Sequence, residues 1–259
     1  TSGNGISWNG LRYVAVGSGT NTIAYSIDGF SWFGLGYTVF STVGNHVCWN
    51  GNSWFAVGSG TNTIAYSSNS TTWTGLGTTI FSSSSNDIAF NGIQFVAVGS
   101  GNNTIAYSSN GTQWTGLGLT LFTTAGYGIA WGGSLWVAGG TGGSVMLYSS
   151  NGSTWTSITT NFTTCFSIAW NGTIYIAGGT GTDQLTYSYN GINWYSSDTN
   201  IFSTTYGIAT NQVGPFLQDS QFILDINGIE QTNQLDITSN YYSYDYSNMN
   251  LSIKTDSLL

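Results

Sequence analysis

Short apolar stretches recur along most of the chain, separated by runs of Gly, Ser, Thr and Asn. The stretches GISW, HVCW, DIAF, GIAW and SIAW end at Trp8, Trp49, Phe90, Trp131 and Trp170, at intervals of 41, 41, 41 and 39 residues. An echo, GIAT, ends at Thr210, 40 residues further on. Each stretch is followed by a tight turn, usually Asn-Gly, and then by YVAVG, WFAVG, FVAVG, LWVAGG or YIAGG. Asn-Gly is the strongest short hairpin signal, because a two-residue turn of type I′ needs positive φ at both central residues. A glycine-rich turn such as GSGTNT leads to a third stretch: TIAYS in three copies, then VMLYS and QLTYS. A second tight turn leads to Trp32, Trp73, Trp114, Trp155 and Trp194, each opening a fourth stretch. A longer segment such as GLGTTIFSSSSN then crosses to the next unit.

Four short antiparallel strands in each unit of about 41 residues make the blade of an all-β propeller. The stretches are rich in Ala, Val and Gly and alternate poorly, as expected of sheets covered on both faces by neighbours. A parallel β-helix is the structural rival, but its coils are usually shorter and are not joined by two-residue hairpins. The expected organisation is a propeller of five repeats over 1–211 and a β-rich attachment or oligomerisation segment over 212–259. GIAT leaves a sixth blade open, and the chain reads as beginning inside a repeat, as though an upstream portion were not included. The recurring Phe40, Phe81, Phe122, Phe162 and Phe202 read as packing between blades.

Charge narrows the classes of function. The 259 residues carry two Lys or Arg and ten Asp or Glu, a net charge of −8, while 40% are hydrophobic and 15% aromatic. Nucleic-acid affinity rests on Lys and Arg neutralising phosphates. With only Arg12 and Lys254, nucleic acid is not an expected partner, nor is an anionic membrane surface. No apolar run approaches the ~20 residues of a membrane helix. Cys48 and Cys165 read as two small buried thiols or, alternatively, as a disulfide, and neither has metal-ligand spacing. No cofactor is expected.

The turn before the fourth stretch reads YSIDGFSW, YSSNSTTW, YSSNGTQW, YSSNGSTW and YSYNGINW. This pattern resembles the Asp-box, or sialidase-type, repeat, in which Ser-x-Asp precedes Gly and Trp at a blade's outer hairpin. The motif's physics is structural. Ser26 and Asp28, and their equivalents Ser67/Asn69, Ser108/Asn110, Ser149/Asn151 and Ser188/Asn190, offer acceptors to turn amides. Gly29, Gly111, Gly152 and Gly191 supply positive φ, and Trp32, Trp73, Trp114, Trp155 and Trp194 pack across the hairpin. Here the spacing is one residue shorter than in the common Asp-box. Asn replaces Asp in four copies, and Ser70 stands in copy two where the others have Gly.

The resemblance to sialidases does not extend to catalysis. Their arginine triad has no counterpart in a chain whose one arginine is Arg12 and whose one glutamate, Glu230, lies outside the repeats. Other glycosidases need two carboxylates placed across a sugar. Asp28 belongs to the turn motif, Asp87 reads as preceding a first strand at a propeller face, and Asp183 lies in a turn. His46 reads as a surface or loop histidine, with no partners for a triad or a zinc site. GSGTNT and GGTGGS lack the Lys and the following helix of a phosphate loop. Photosystem-assembly propellers of this broad class use a basic patch, and this chain has none. No enzyme is expected.

Six of the ten acids lie beyond Pro215, the sole proline: Asp219, Asp225, Glu230, Asp236, Asp245 and Asp256. Gln212 to Pro215 reads as a linker; QFILDI, QLDIT and MNLSIKT read as strands, with NYYSYDYSN connecting them. The repeats, with GTNTIAYS at 60–67 and TGLGTTIFS at 74–82, followed by NQLDITSNYY at 233–242, are similar to repeat proteins encoded by giant DNA viruses of algae and protists. That resemblance implies a virion-surface or extracellular setting. Three readings follow: a display protein binding host glycans or a partner protein through propeller loops, a purely structural capsid decoration, or a secreted propeller lectin. Asn21, Asn62 and Asn103 are the recurring polar candidates for ligand contact, against a reading as ordinary turn residues. Other virion or surface proteins bound through the tail, host glycans and a second copy are the expected partners. Asn-x-Ser/Thr sequons stand at Asn69, Asn102, Asn110, Asn151, Asn161, Asn171 and Asn250.

Overall fold

The computed structural model describes residues 1–197 and 202–209, and the backbone of four short strands between 224 and 254. Blade one is β1 (Ser2–Trp8), β2 (Tyr13–Ser18), β3 (Ile23–Ser26) and β4 (Trp32–Gly34). Blade two is β5 (Val43–Trp49), β6 (Trp54–Ser59), β7 (Ile64–Ser67) and β8 (Thr74–Gly75). Blade three is β9 (Ser84–Phe90), β10 (Phe95–Ser100), β11 (Ile105–Ser108) and β12 (Thr115–Gly116). Blade four is β13 (Phe122–Trp131), β14 (Trp136–Gly143), β15 (Met146–Ser149) and β16 (Thr156–Ile158). Blade five is β17 (Phe162–Trp170), β18 (Tyr175–Gly181), β19 (Leu185–Ser188) and β20 (Tyr195–Ser196). Each is a four-stranded antiparallel meander, and the first strands of successive blades lie against one another.

The first hairpin of each blade differs from the expected two-residue turn. Trp8 pairs with Tyr13, so four residues form the loop. Gly10 has φ 95°, while Ser70 is the single non-glycine residue with positive φ among those described. Asn9 instead stays in ordinary backbone space and accepts the Leu11 and Arg12 N–H groups on Oδ1 at 3.0 and 2.8 Å. Asn is selected here as a side-chain acceptor and not for left-handed geometry.

The hydrophobic core lies between blades. One cluster joins Val14, Val16 and Ile23 of blade one to Val47, Trp54 and Ala56 of blade two through Phe40. The next joins Phe55, Val57 and Ile64 to Ile88, Phe95 and Ala97 through Phe81. Along β6, therefore, Trp54 and Ala56 face one neighbour while Phe55 and Val57 face the other, which is why the whole strand is apolar. Phe122 and Phe162 hold the same place in the two later interfaces. Phe202 is 55% exposed; each buried equivalent rests on its own blade's second strand, as Phe81 does on Gly99.

Blade one breaks the pattern on one side. Ile6 is 58% exposed, whereas its repeat equivalents Val47, Ile88, Ile129 and Ile168 are 1%, 1%, 4% and 6% exposed. Each equivalent is buried against the second and third strands of the preceding blade.

The chain divides into two compact units, Thr1–Gln212 and Val213–Leu259. In the second, β21 (Leu224–Ile226) pairs with β22 (Ile229–Gln231), and β23 (Tyr241–Asp245) pairs with β24 (Asn250–Lys254). The segment expected as a connection, NYYSYDYSN, thus holds a strand, consistent with the β propensity of its tyrosines. Thr210, the 212–215 linker, Asp198, Asp219, Asp236, Asp256 and the whole of QLDIT lie outside the described residues.

Candidate functional site

The outer turns are built from the repeated Ser, Asp/Asn, Gly and Trp. In blade one, Ser26 Oγ donates to Asp28 Oδ1 at 3.0 Å and accepts the Gly29 N–H at 2.8 Å. Asp28 Oδ1 accepts the N–H groups of Phe30 and Ser31 at 2.9 and 2.8 Å, and Trp32 Nε1 donates to the Gly29 carbonyl at 3.0 Å. The backbone bonds from Ser31 and Phe30 stabilise the carboxylate and hold its pKa down at about 2. Asn69, Asn110, Asn151 and Asn190 make the same two backbone bonds, with Ser67, Ser108, Ser149 and Ser188 beside them. A neutral amide oxygen therefore suffices for the turn. Trp73, Trp114, Trp155 and Trp194 repeat the indole bond. Ser70 stands at φ 67° where the other copies have Gly, and Arg12 of the preceding blade donates to Ser70 Oγ and the Asn69 carbonyl at 3.2 and 3.3 Å.

Asn21, Asn62 and Asn103 turn their amides toward backbone groups. Each Oδ1 accepts a backbone N–H, from Gly36, Gly77 and Gly118, at 2.7, 2.8 and 2.8 Å. Asn62 and Asn103 also donate to the carbonyls of Val39 and Ile80 at 2.7 and 2.6 Å. A ligand using these amides would have to break bonds that join the third and fourth strands.

The structure brings together another set that sequence reading missed. Every first strand carries a β-bulge at one repeat position, leaving Asn4, Asn45, Asn86, Tyr127 and Phe166 out of register with the second strand. Tyr206 is the sixth equivalent, 40 residues after Phe166. Bulges re-aim side chains. Asn4, Asn45 and Asn86 donate to the carbonyls of Gly44, Ser85 and Gly126 in the next blade at 3.0, 2.9 and 2.7 Å. In the second half of the repeat array rings replace amides: Tyr127 to Phe166 is 5.3 Å between centroids and Phe166 to Tyr206 is 5.0 Å, both tilted. The legible signal was a one-position column, N-N-N-Y-F-Y, within the aligned repeats.

The neighbouring column holds His46 and Asp87. His46, expected at the surface or in a loop, and Asp87, expected just before a first strand, both lie inside first strands, and His46 Nδ1 is 2.7 Å from Asp87 Oδ1. The strands begin earlier than the apolar stretches suggest because the bulge continues the ladder through polar residues. Asp87 also accepts the N–H of Ile88 at 2.8 Å and, across to the next blade, that of Ile129 at 2.9 Å. Burial alone would lower the His46 pKa, but the charge of Asp87 and the bonds to it prevail and the net shift is upward. Ser167, in the same column, accepts the Ile208 N–H at 3.2 Å. Asp183 accepts bonds from Asn161 Nδ2 and Ser196 Oγ at 3.0 and 2.7 Å. Cys48 and Cys165 are free thiols, not a disulfide, and burial pushes both thiols up in pKa, away from the reactive thiolate. Among the described residues no group of three or more His, Cys, Asp or Glu could hold a metal, and no helix is long and apolar enough to cross a membrane.

Neither a protein-family model nor a curated protein sequence matches the chain. Solved structures do. The computationally designed Ika8 protein is similar at a TM-score of 0.54 and 14% identity, over 74% of this chain and 59% of that one. The GH74 enzyme of Niastella koreensis is similar at a TM-score of 0.53 and 21% identity, over 76% of this chain and 31% of that one. YCF48 from Cyanidioschyzon merolae is similar at a TM-score of 0.52 and 14% identity, over 75% and 71%. At these identities the likeness shows the fold alone, a β-propeller built of repeated blades.

Proposed function

We propose that this chain is a non-enzymatic display propeller at a virion or extracellular surface, binding a host glycan or a partner protein. The observation that carries this reading is how the reactive side chains are used. Asp28 holds its turn, Asp87 ties His46 and the amides of two blades, Asp183 bridges two loops, and Cys165 is sealed in the core. A general acid or base must instead reach a substrate proton. The Asp-box-like turns and the likeness of the repeats to those of giant-virus proteins support the setting. A glycan-array screen of the purified chain, with light scattering on the same sample, tests the reading. Saturable binding to one sugar class is the expected result; a blank array defeats the glycan form of it.

A specific observation favours a second reading, a structural component of a larger assembly. Blade one exposes Ile6 together with Trp8, at a repeat position that is buried elsewhere. An assembly role for this face, beside attachment through residues 212–259, predicts a concentration-dependent oligomer that Ile6→Asp disrupts. A strictly monomeric native chain would remove it.

A further inference from the structure

We propose that the row Tyr127–Phe166–Tyr206, two residues at the bulges of β13 and β17 and one in the segment after blade five, is the stacking platform for an uncharged saccharide; this rests on the glycan reading above and makes it specific. The scaffold's own need at this column is visible in the first half of the array. There an asparagine amide clips each first strand to the next blade, and the side chain is consumed by the fold. From Tyr127 onward the column abandons that clip for three rings in sequence, 5.3 and 5.0 Å apart. Tyr206 is 74% exposed, which leaves its ring open to a ligand. Beside the rings the next column narrows to Gly128, Ser167 and Gly207, which leaves no bulky side chain at that column beside the row.

Ligand chemistry follows from the surroundings. Stepped aromatic faces, tilted 50° and 37° to one another, offer flat apolar surfaces to a flat or ring-shaped ligand, not the enclosing cage that holds a quaternary ammonium. Nucleotides also stack through their bases, but their phosphates require Lys or Arg. Arg12, the one arginine, is bound to the blade-two turn and lies over the Tyr25 ring at 5.7 Å. The imidazole of His46 is held by Asp87. Sialylated and sulfated sugars meet the same lack of a free cation among the described side chains, in a chain of net charge −8. A neutral pyranose, apolar on one face and hydroxylated at its rim, is the class that remains.

The test uses the full chain, an array carrying neutral, sialylated and sulfated glycans, and titration calorimetry with the best neutral oligosaccharide. Native protein, Tyr206→Ala, Tyr206→Phe and, as a control on an exposed ring of the blade-one outer turn, Phe30→Ala are compared. The expected result is binding to neutral glycans, weakened roughly tenfold or more by Tyr206→Ala and kept by Tyr206→Phe and Phe30→Ala, with unchanged melting temperatures. Neutral-glycan binding that Tyr206→Ala leaves intact overturns the platform while the glycan reading stands. Binding confined to sialylated or sulfated glycans overturns the charge argument. A blank array removes the platform and the glycan reading together.

Discussion

Gly111 shows how much one residue carries. Its φ is 74°, and a Cβ there would run into the Phe55 ring of the preceding blade. Gly111→Ala is therefore expected to cost about 2 kcal/mol or more, from left-handed strain and overpacking together. Gly10 also has positive φ, 95°, but a Cβ there meets open space. Gly10→Ala should cost only about 1 kcal/mol, and denaturant titrations of the two variants compare them. Ser70 tolerates φ 67° where the preceding blade has Val14 at the position of Phe55, and where Arg12 binds its hydroxyl. Asp28 carries a pH signature. Its carboxyl titrates at about 2 in the folded chain against an ordinary 3.8, so its contribution is complete above 3.8 and is lost as pH falls through 2. NMR titration of the Asp28 carboxyl should show this midpoint, and Asp28→Asn should remove this turn's acid sensitivity while keeping its two backbone bonds.

At the scale of elements, the first strand does more than open a hairpin. Its bulge turns one side chain toward the next blade, and the residue after it does the same with a second column. His46 and Asp87 join blades two and three in this way. The His46 pKa lies above the ordinary 6.5. The stability of the pair is therefore complete below 6.5 and fades as pH rises through the folded value. The imidazole NMR titration should have its midpoint above 6.5, and Asp87→Asn should move it down. An imidazole that titrates identically in both proteins would break the assigned pairing. The His46 side chain is 40% exposed, so solvent screens the pair and its effect on stability is small.

At the scale of the molecule, stability resides in the interfaces between blades, as in other repeat proteins. Blades two, three and four are thin sheets whose two faces belong to two different cores. The open side of blade one follows from that design and gives a direct comparison. Ile88→Ala should cost about 2–5 kcal/mol through cavity formation. Ile6→Ala, at the equivalent but exposed position, should stay within about 0.5 kcal/mol in the isolated chain. Equal losses measured by chemical denaturation would mean that blade one is covered in solution.

The sequence by itself determined the repeat, the four-strand blade and the chemistry of the outer turn, because these depend on residues near one another in the chain. Positive-φ glycines, Ser and Asn acceptors, and apolar stretches of five residues are local necessities, legible wherever they recur. Whether Cys48 and Cys165 pair, where His46 and Asp87 meet, and that Asn9 acts through its side chain were decided only in three dimensions. The bulge column was present in the aligned repeats but carried no meaning until the ladder register showed those residues out of pairing. The bonds from Gly36, Gly77 and Gly118 to Asn21, Asn62 and Asn103 were not legible, because a sequence cannot show which backbone groups face an amide. Contacts between blades join residues about 40 positions apart, and only the packing of one sheet on the next determines which side chains are consumed by the fold and which are left to meet a ligand.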